Sequence, residues 1–585
     1  MKKHFLPLSL LSIALTCSFS SAAFSEVKVR ETREPEAATG LTQKQVVVGS
    51  DYMVAAANPY ASEAGYNILA KGGSAVDAAI AVQLVLTLVE PQSSGIGGGA
   101  FILHWDQANK QLTTVDGRET APAKASSDMF LDKSGKPIKW IDAVVGGRSV
   151  GVPGVLSGLK AAHDKYGKLP WAALFDEAIT LADQGFIVSP RLEKLVAMKF
   201  NPGIVKLPEI ANYFFPNGEP IKAGQRLVNK PLAEVYRTIA REGVEAFYQG
   251  KIAHDIVNAV HNAEIAPGSL SLKDMKDYQP KWREAVCGDY HSYQVCGMAP
   301  PSSGGIAVIQ ILKQLEPFKL SKQAYDTAQP WHLFTQSSRL AFADRDKYVA
   351  DQDFVTVPTQ ALLADTYLDQ RAQLIQTEKD MGTAQAGQPV ALSYAINDSF
   401  ELPSTSHISI VDGDGNAISM TTSVEMAFGS AVMVHGFILN NQLTDFALSP
   451  ERNGQPVANR VEPFKRPRSS MAPMMVFNPD GSLKLVVGSP GGSRIINYVA
   501  QTIVGVLDWQ LNPQQAINLP KITNRNKVTT LEKGTAIAAL KSEFEARGHK
   551  VMVRDLNSGV HAIEVKNGKL YGGADPRREG KVLAK

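Results

Sequence analysis

A chain of 585 residues, 44% hydrophobic and 20% charged, is long enough for roughly four average domains and has the composition of an ordinary globular protein. Its 60 basic and 57 acidic residues leave a formal net charge of +3. No basic run is dense enough for a nucleic-acid surface, which sets that partner class aside. With no Cys or His cluster at metal-ligand spacing and no HExxH pattern, neither a metal nor a cofactor is expected.

The first elements read as an export signal. Lys2 and Lys3 precede an apolar stretch, Phe5–Leu15, and small residues follow at Ser21, Ala22, Ala23 and Ser25. The stretch is too short to span a bilayer ~30 Å thick. A leader over residues 1–25 is expected, cut after Ala23 or Ser25. Cys17 invites a lipoprotein reading, which Thr16 before it disfavours. The expected location is periplasmic or secreted, with no membrane anchor.

Val46–Ala56 reads as a strand. Asn58-Pro59 opens a helix that ends at Gly72-Gly73, and Ser74-x-x-Asp77 is a capping box for a helix over Val76–Val89, also too short to span a membrane. The run Gly95–Gly99 lacks the Lys-Ser/Thr of a phosphate loop and follows a helix, so it reads as a tight turn permitting close backbone approach. Phe101–Trp105 and Leu112–Val115 form a hairpin. Residues 150–400 are mostly helical by pattern, interrupted by a hairpin near Val286–Val295.

With its turn at His291-Ser292, that hairpin sets Tyr290 opposite Tyr293, Asp289 opposite Gln294, Gly288 opposite Val295 and Cys287 opposite Cys296. The cysteine pair is of the non-hydrogen-bonded kind, with Cα atoms ~4.5 Å apart, within reach of a disulfide. Two buried reduced thiols are the alternative.

Residues 376–400 are polar and poorly periodic, as expected ahead of a cleavage point. From Thr405 the pattern changes to strands: Thr405–Val411, a turn, Ala417–Thr422, then Phe437–Leu439, Met474–Phe477, Leu483–Val487, Val551–Val553 and Ile563–Val565. Helices over Ile495–Trp509 and Thr535–Ala546 lie between them. Helices flanking a largely antiparallel sheet stack imply a layered α/β fold.

Thr405 is an internal residue of a type that works best at a chain terminus. There its hydroxyl attacks while its own α-amine, with an ordinary pKa of ~8, takes the proton. Cleavage of the Ser404–Thr405 bond would create that terminus. Four segments supply further chemistry. Gly488-Ser489-Pro490-Gly491-Gly492-Ser493-Arg494 joins a strand to a helix, and its glycines can aim backbone N–H groups at an oxyanion. Lys465-Arg466-Pro467-Arg468-Ser469-Ser470-Met471 offers two hydroxyls after a basic turn, suited to a carboxylate. Asn440-Asn441-Gln442-Leu443-Thr444-Asp445 puts polar side chains after an apolar strand. Asp116-Gly117-Arg118-Glu119 ends a hairpin, and Arg118 can clamp a carboxylate.

Together with Gly72-Gly73-Ser74-Ala75-Val76-Asp77-Ala78-Ala79, Pro91-Gln92, Pro300-Pro301-Ser302-Ser303-Gly304-Gly305 and Thr405-Ser406-His407, these segments resemble the γ-glutamyltranspeptidase family of N-terminal nucleophile hydrolases over nearly the whole mature chain. The resemblance implies a four-layer αββα sandwich of two stacked, largely antiparallel sheets flanked by helices. It implies self-cleavage between Ser404 and Thr405, giving a heterodimer of a 26–404 large subunit and a 405–585 small catalytic subunit. Thr405 would attack the γ-carbonyl of glutathione or a related γ-glutamyl compound, and water or an amino acid or peptide would accept the glutamyl group. Gly491 and Gly492 would form the oxyanion hole, and Ser423 would bond the nucleophile. Arg118, Ser469 and Ser470 would hold the substrate α-carboxylate; Glu425, Gln442 and Asp445 the α-amino group. His407 reads as structural.

Two departures bear on the substrate: Glu425 stands where many members carry asparagine, and the loop from Phe446 to Ser469 is short, with Phe464 its only internal aromatic. Both also occur in relatives resembling cephalosporin acylases, so a glutaryl amide hydrolase is the alternative activity. An uncleaved exported binding protein is a remote one.

Overall fold

Alternating side chains along Ser406–Val411 and Ala417–Ser423 decide the layering. Ile408, Ile410, Ile418 and Met420 face one way, into an apolar cluster with helices α1 (Pro59–Ala70) and α2 (Ala75–Val89). His407, Ser409, Ser419 and Thr421 face the other way, toward a second sheet: Ser409 Oγ donates to the His561 carbonyl and Ser419 Oγ to the Val487 carbonyl, both at 3.2 Å.

The two main sheets use fourteen strands. In chain order these are β1 (Val47–Gly49), β2 (Met53–Ala56), β3 (Gly99–Asp106), β4 (Gln111–Gly117), β5 (Lys281–Arg283), β6 (Val286–Tyr290), β7 (Tyr293–Gly297), β8 (Ser406–Val411), β9 (Ala417–Ser423), β10 (Met474–Phe477), β11 (Leu483–Gly488), β12 (His561–Lys566), β13 (Lys569–Ala574) and β14 (Lys581–Ala584). One sheet runs β14-β2-β8-β9-β3-β4-β5 and the other β1-β13-β12-β11-β10-β7-β6. Every ladder in both is antiparallel. Helices α3 (Gly304–Leu315), α4 (Ala328–Tyr348) and α5 (Ile495–Leu507) share an apolar cluster with the second of these sheets. The result is the four-layer αββα arrangement.

The computed structural model describes residues 1, 36, 38–397, 401–402 and 404–585. The described residues from Glu36 onward belong to one compact unit. The expected leader stretch Phe5–Leu15, Cys17 and both leader cleavage points lie outside the described residues. Among the described residues no helix is long and apolar enough to cross a membrane.

Local signals acted as their chemistry requires. Asn58 caps α1 by accepting from the Tyr60 amide at 3.0 Å, and Ser74 and Asp77 form the capping box of α2. In the Gly95–Gly99 turn a Cβ on Gly97 would stand 2.2 Å from the Ile438 carbonyl oxygen, and one on Gly98 2.1 Å from that of Ser423. Cys287 and Cys296 face each other across β6 and β7 and are joined by a disulfide.

Three elements differ from the sequence reading. Val46–Ala56 is two strands in different sheets; the chain crosses between them where Ser50 and Asp51 donate to the Lys585 carbonyl at 2.8 and 2.9 Å. Thr535–Ala546 is two short helices, Ala536–Ala539 and Lys541–Ala546. Phe437–Ile438 pairs only with Met433–Val434, outside both main sheets.

Candidate active site

Thr405 directly precedes β8. The β8–β9 ladder pairs Ser406 with Thr422, so one step further along it Thr405 faces Ser423. The Thr405 hydroxyl donates to Ser423 Oγ at 3.3 Å, and Ser423 Oγ also accepts the Glu425 amide at 2.8 Å. The Thr405 carbonyl accepts from Arg578 at 3.4 Å. On the other side of the intact bond, the Ser404 hydroxyl lies 2.8 Å from the Gln92 carbonyl and 3.0 Å from the Glu36 carboxylate.

A small cavity adjoins this threonine. It is lined by Arg118, Glu401, Leu402, Ser404, Thr405, Ser423 and Glu425, with Gln442, Asp445, Ser469, Ser470, Met471, Gly492 and Ile495 completing its wall. It thus gathers nearly every expected site residue. Gly491 stands one residue behind it, in the turn between β11 and α5. Gly491 and Gly492 have φ of 134° and 57°, values that suit glycine, and a Cβ on Gly491 would lie 2.8 Å from the Tyr498 ring.

Arg118 follows β4 and is buried. Its Nε donates to the Pro467 carbonyl at 3.2 Å and its Nη2 to the Arg468 carbonyl at 3.0 Å, while Nη2 also pairs with the Asp445 carboxylate. The sequence reading assigned these two side chains to opposite groups of a ligand; in the uncut chain they hold each other. Asp116 accepts the Arg118 amide at 2.9 Å and pairs with Arg283 at 2.7 Å and Arg466 at 3.4 Å, which ties the Arg466–Ser470 segment to the end of β4.

Asp445 closes the short helical turn Gln442–Asp445. Burial pushes its carboxyl up to about 6, against the pull of Arg118. Burial, and then the nearby Asp445, push Glu425 well above the ordinary carboxylate range. Asn441 donates to Glu425 at 2.5 Å. Asn440 is structural: its amide donates to the Gly97 and Gly151 carbonyls at 2.8 and 2.9 Å. Gln442 Oε1 is buried without a hydrogen-bond partner among the described residues.

Ser469 is held by the Pro300–Gly305 segment, its amide donating to the Pro301 carbonyl at 3.0 Å. Ser303 donates to the Ser469 carbonyl through its amide at 2.7 Å and its hydroxyl at 2.8 Å. His407 lies elsewhere, 2.9 Å from Thr421 Oγ1 and 3.0 Å from Ser409 Oγ, and burial keeps it well below its ordinary pKa. The sequence reading missed Glu401, Arg345 and Arg468. Glu401's nearness to Thr405 in the chain was the available signal.

Residues 61–585 match the family model described as gamma-glutamyltranspeptidase. The chain is 39% identical over 556 residues to the glutathione hydrolase proenzyme of Bacillus subtilis (strain 168), covering 92% of each. It is 33% identical over 560 residues to the acylase ACY 1 proenzyme of Pseudomonas sp. (strain SE83), covering 94% of this chain and 96% of the relative. A crystal structure of a cephalosporin acylase from Bacillus halodurans superposes with a TM-score of 0.82 at 28% identity, over 93% of this chain and 97% of that one. The chain belongs to the γ-glutamyltranspeptidase family, within the N-terminal nucleophile hydrolases. It is an enzyme, a γ-glutamyl hydrolase and transferase.

Proposed function

We propose that this protein is exported, cuts itself between Ser404 and Thr405 into subunits 26–404 and 405–585, and then cleaves the γ-glutamyl amide bond of glutathione and related compounds. The observation that carries this reading is the Thr405 hydroxyl beside a cavity that joins Ser423 and Gly492 to the charged side chains of Arg118 and Asp445. Maturation hydrolyses one peptide bond: the carbonyl leaves as the Ser404 carboxylate and the nitrogen becomes the Thr405 amine.

That amine then takes the hydroxyl proton as Thr405 Oγ1 attacks the γ-carbonyl. Backbone N–H groups of Gly491 and Gly492 stabilise the oxyanion. Collapse expels the amine of the leaving group, which receives the proton, and leaves a glutamyl ester on Thr405. Water or an acceptor amine repeats the addition and releases the glutamyl group. Arg118, Ser469 and Ser470 hold the α-carboxylate, and Asp445, Glu425 and Gln442 the α-ammonium. The likeness to a cephalosporin acylase favours a second reading, glutaryl amide hydrolysis, but Asp445 and Glu425 suit a ligand that carries an amine.

Turnover of γ-glutamyl-p-nitroanilide beside glutaryl-p-nitroanilide separates the two. The matured enzyme should prefer the γ-glutamyl substrate, and Thr405→Ala should remain one uncut, inactive chain. Efficient turnover by uncut Thr405→Ala would remove Thr405 from the mechanism.

A further inference from the structure

In the uncut chain one wall of the cavity is the side chain of Glu401. Glu401 lies four residues before Thr405 and is only 6% exposed. Its carboxylate accepts from Ser470 Oγ and Arg345 Nη2, and Arg468 Nη2 stands 3.5 Å from it. Arg345 also donates to Ser470 Oγ at 2.6 Å and to Ser303 Oγ at 2.9 Å. The receptor for this carboxylate is therefore fixed to the same segment that anchors Ser469. Burial alone would raise the Glu401 carboxyl, but Arg345, Arg468 and the Ser470 hydrogen bond outweigh it and hold it at about 2.

Two guanidiniums and a hydroxyl around one buried carboxylate are the recognition chemistry of a carboxylate ligand. With Glu401, Leu402 and Ser404 in place, the cavity measures about 20 Å³, room for about one water and too little for a glutamyl group. These residues are tethered to the site by the Ser404–Thr405 bond. Once that bond breaks, Glu401, Leu402 and Ser404 belong to a chain end and lose their covalent tether to Thr405. If Glu401 withdraws, the buried guanidiniums it faced favour another anion in its place.

We propose that Arg345 and Arg468 complete, with Ser470, the subsite for the substrate α-carboxylate, that Glu401 fills this subsite in the uncut chain, and that scission opens the pocket by letting Glu401 leave. The identity of the ligand rests on the γ-glutamyl reading; the occlusion by Glu401 does not.

The test uses the full-length Thr405→Ala chain, titrated calorimetrically with L-glutamate and with glutarate. Thr405→Ala should bind L-glutamate at least about tenfold more weakly than Thr405→Ala/Glu401→Gln or Thr405→Ala/Glu401→Ala. Glu401→Gln keeps the side chain's shape, and a cooperative melt verifies its fold. Equal affinity with and without Glu401 overturns the occlusion. In the matured enzyme Arg468→Met should raise KM for γ-glutamyl-p-nitroanilide about tenfold or more, as expected for a lost charge-assisted contact, with kcat within about threefold. An unchanged KM overturns the added subsite. Should the γ-glutamyl reading fail, glutarate would bind the Glu401 variants better than L-glutamate, and the occlusion would stand with a different ligand.

Discussion

Asp445 shows how much one buried carboxylate carries. It faces Arg118 directly, with Arg468, Glu401 and Glu425 near enough to shift its titration or be shifted by it. A charge-assisted hydrogen bond to a substrate ammonium is typically worth ~1.5–3 kcal/mol. Asp445→Ala should therefore lower kcat/KM by about 10- to 100-fold while cleavage at Thr405 continues, read by γ-glutamyl-p-nitroanilide kinetics and a denaturing gel. Wild-type kcat/KM in the matured variant would remove Asp445 from substrate binding. The raised carboxyl also predicts a pH dependence. Below about pH 4 Asp445 is protonated in the folded and unfolded chains alike. Between that point and its folded value of about 6, the unfolded chain gives up the proton and the folded one keeps it. Stability of the uncut chain should therefore fall as pH rises through this window, by up to about 3 kcal/mol from this group. Glu401, held at about 2, acts with the opposite sign: its contribution is present above about pH 4.5 and is lost as pH falls toward 2. Thermal melts of Thr405→Ala and Thr405→Ala/Asp445→Asn at pH 4 and 6.5 should show a smaller loss across the interval in the double variant. Identical losses would mean that Asp445 is not the titrating group.

At the scale of elements, the site depends on backbone fit at the Gly95–Gly99 turn. A Cβ on Gly98 would meet the Ser423 carbonyl at 2.1 Å, and Ser423 carries the hydroxyl that faces Thr405. Backbone cannot rotate out of the way as a side chain can. Gly98→Ala should cost about 1–3 kcal/mol or more through overpacking and should slow self-cleavage by displacing the end of β9; a time course of the uncut band checks this, and normal maturation would refute it. This close approach was legible from sequence because a glycine-rich run after a helix, without a phosphate-loop lysine, leaves few other uses. The capping box at Ser74 and the β6–β7 register were legible for the same reason: each is a local pattern with a fixed spacing. The split of Val46–Ala56 between two sheets was not, since it depends on Lys585, at the far end of the chain. Nor was the pairing of Arg118 with Asp445, because each alone carries a good signal for a ligand contact, and nothing in the sequence says which of the two would be met first by the other. Glu401 lies one residue beyond the 376–400 stretch that read as a polar approach to a cut, and no motif marked it.

At the scale of the molecule, strand order determines what the cut can do. Alternating strands and flanking helices made the layered α/β class readable, but which strands neighbour one another is set by long-range pairing that no local pattern reports. In the sheet β14-β2-β8-β9-β3-β4-β5, strands from before and after Thr405 interleave: β2 lies between β14 and β8, and β9 pairs with β3. In the other sheet β1 pairs with β13 and β7 with β10. Five ladders therefore join the two sides of Ser404–Thr405, and helices α1 and α2, from before the cut, bury Ile408, Ile410, Ile418 and Met420, from after it. Hydrolysis of the single, buried peptide bond ahead of β8 removes none of those contacts. The mature protein should elute from a native sizing column as one species containing both the 26–404 and 405–585 fragments, which separate only under denaturing conditions. Once denatured, the fragments should not readily regain activity on dilution, because β2 must re-enter between β14 and β8 without the covalent link that brought them together. Elution of the fragments as separate native species would refute the interleaved arrangement as the basis of the mature enzyme.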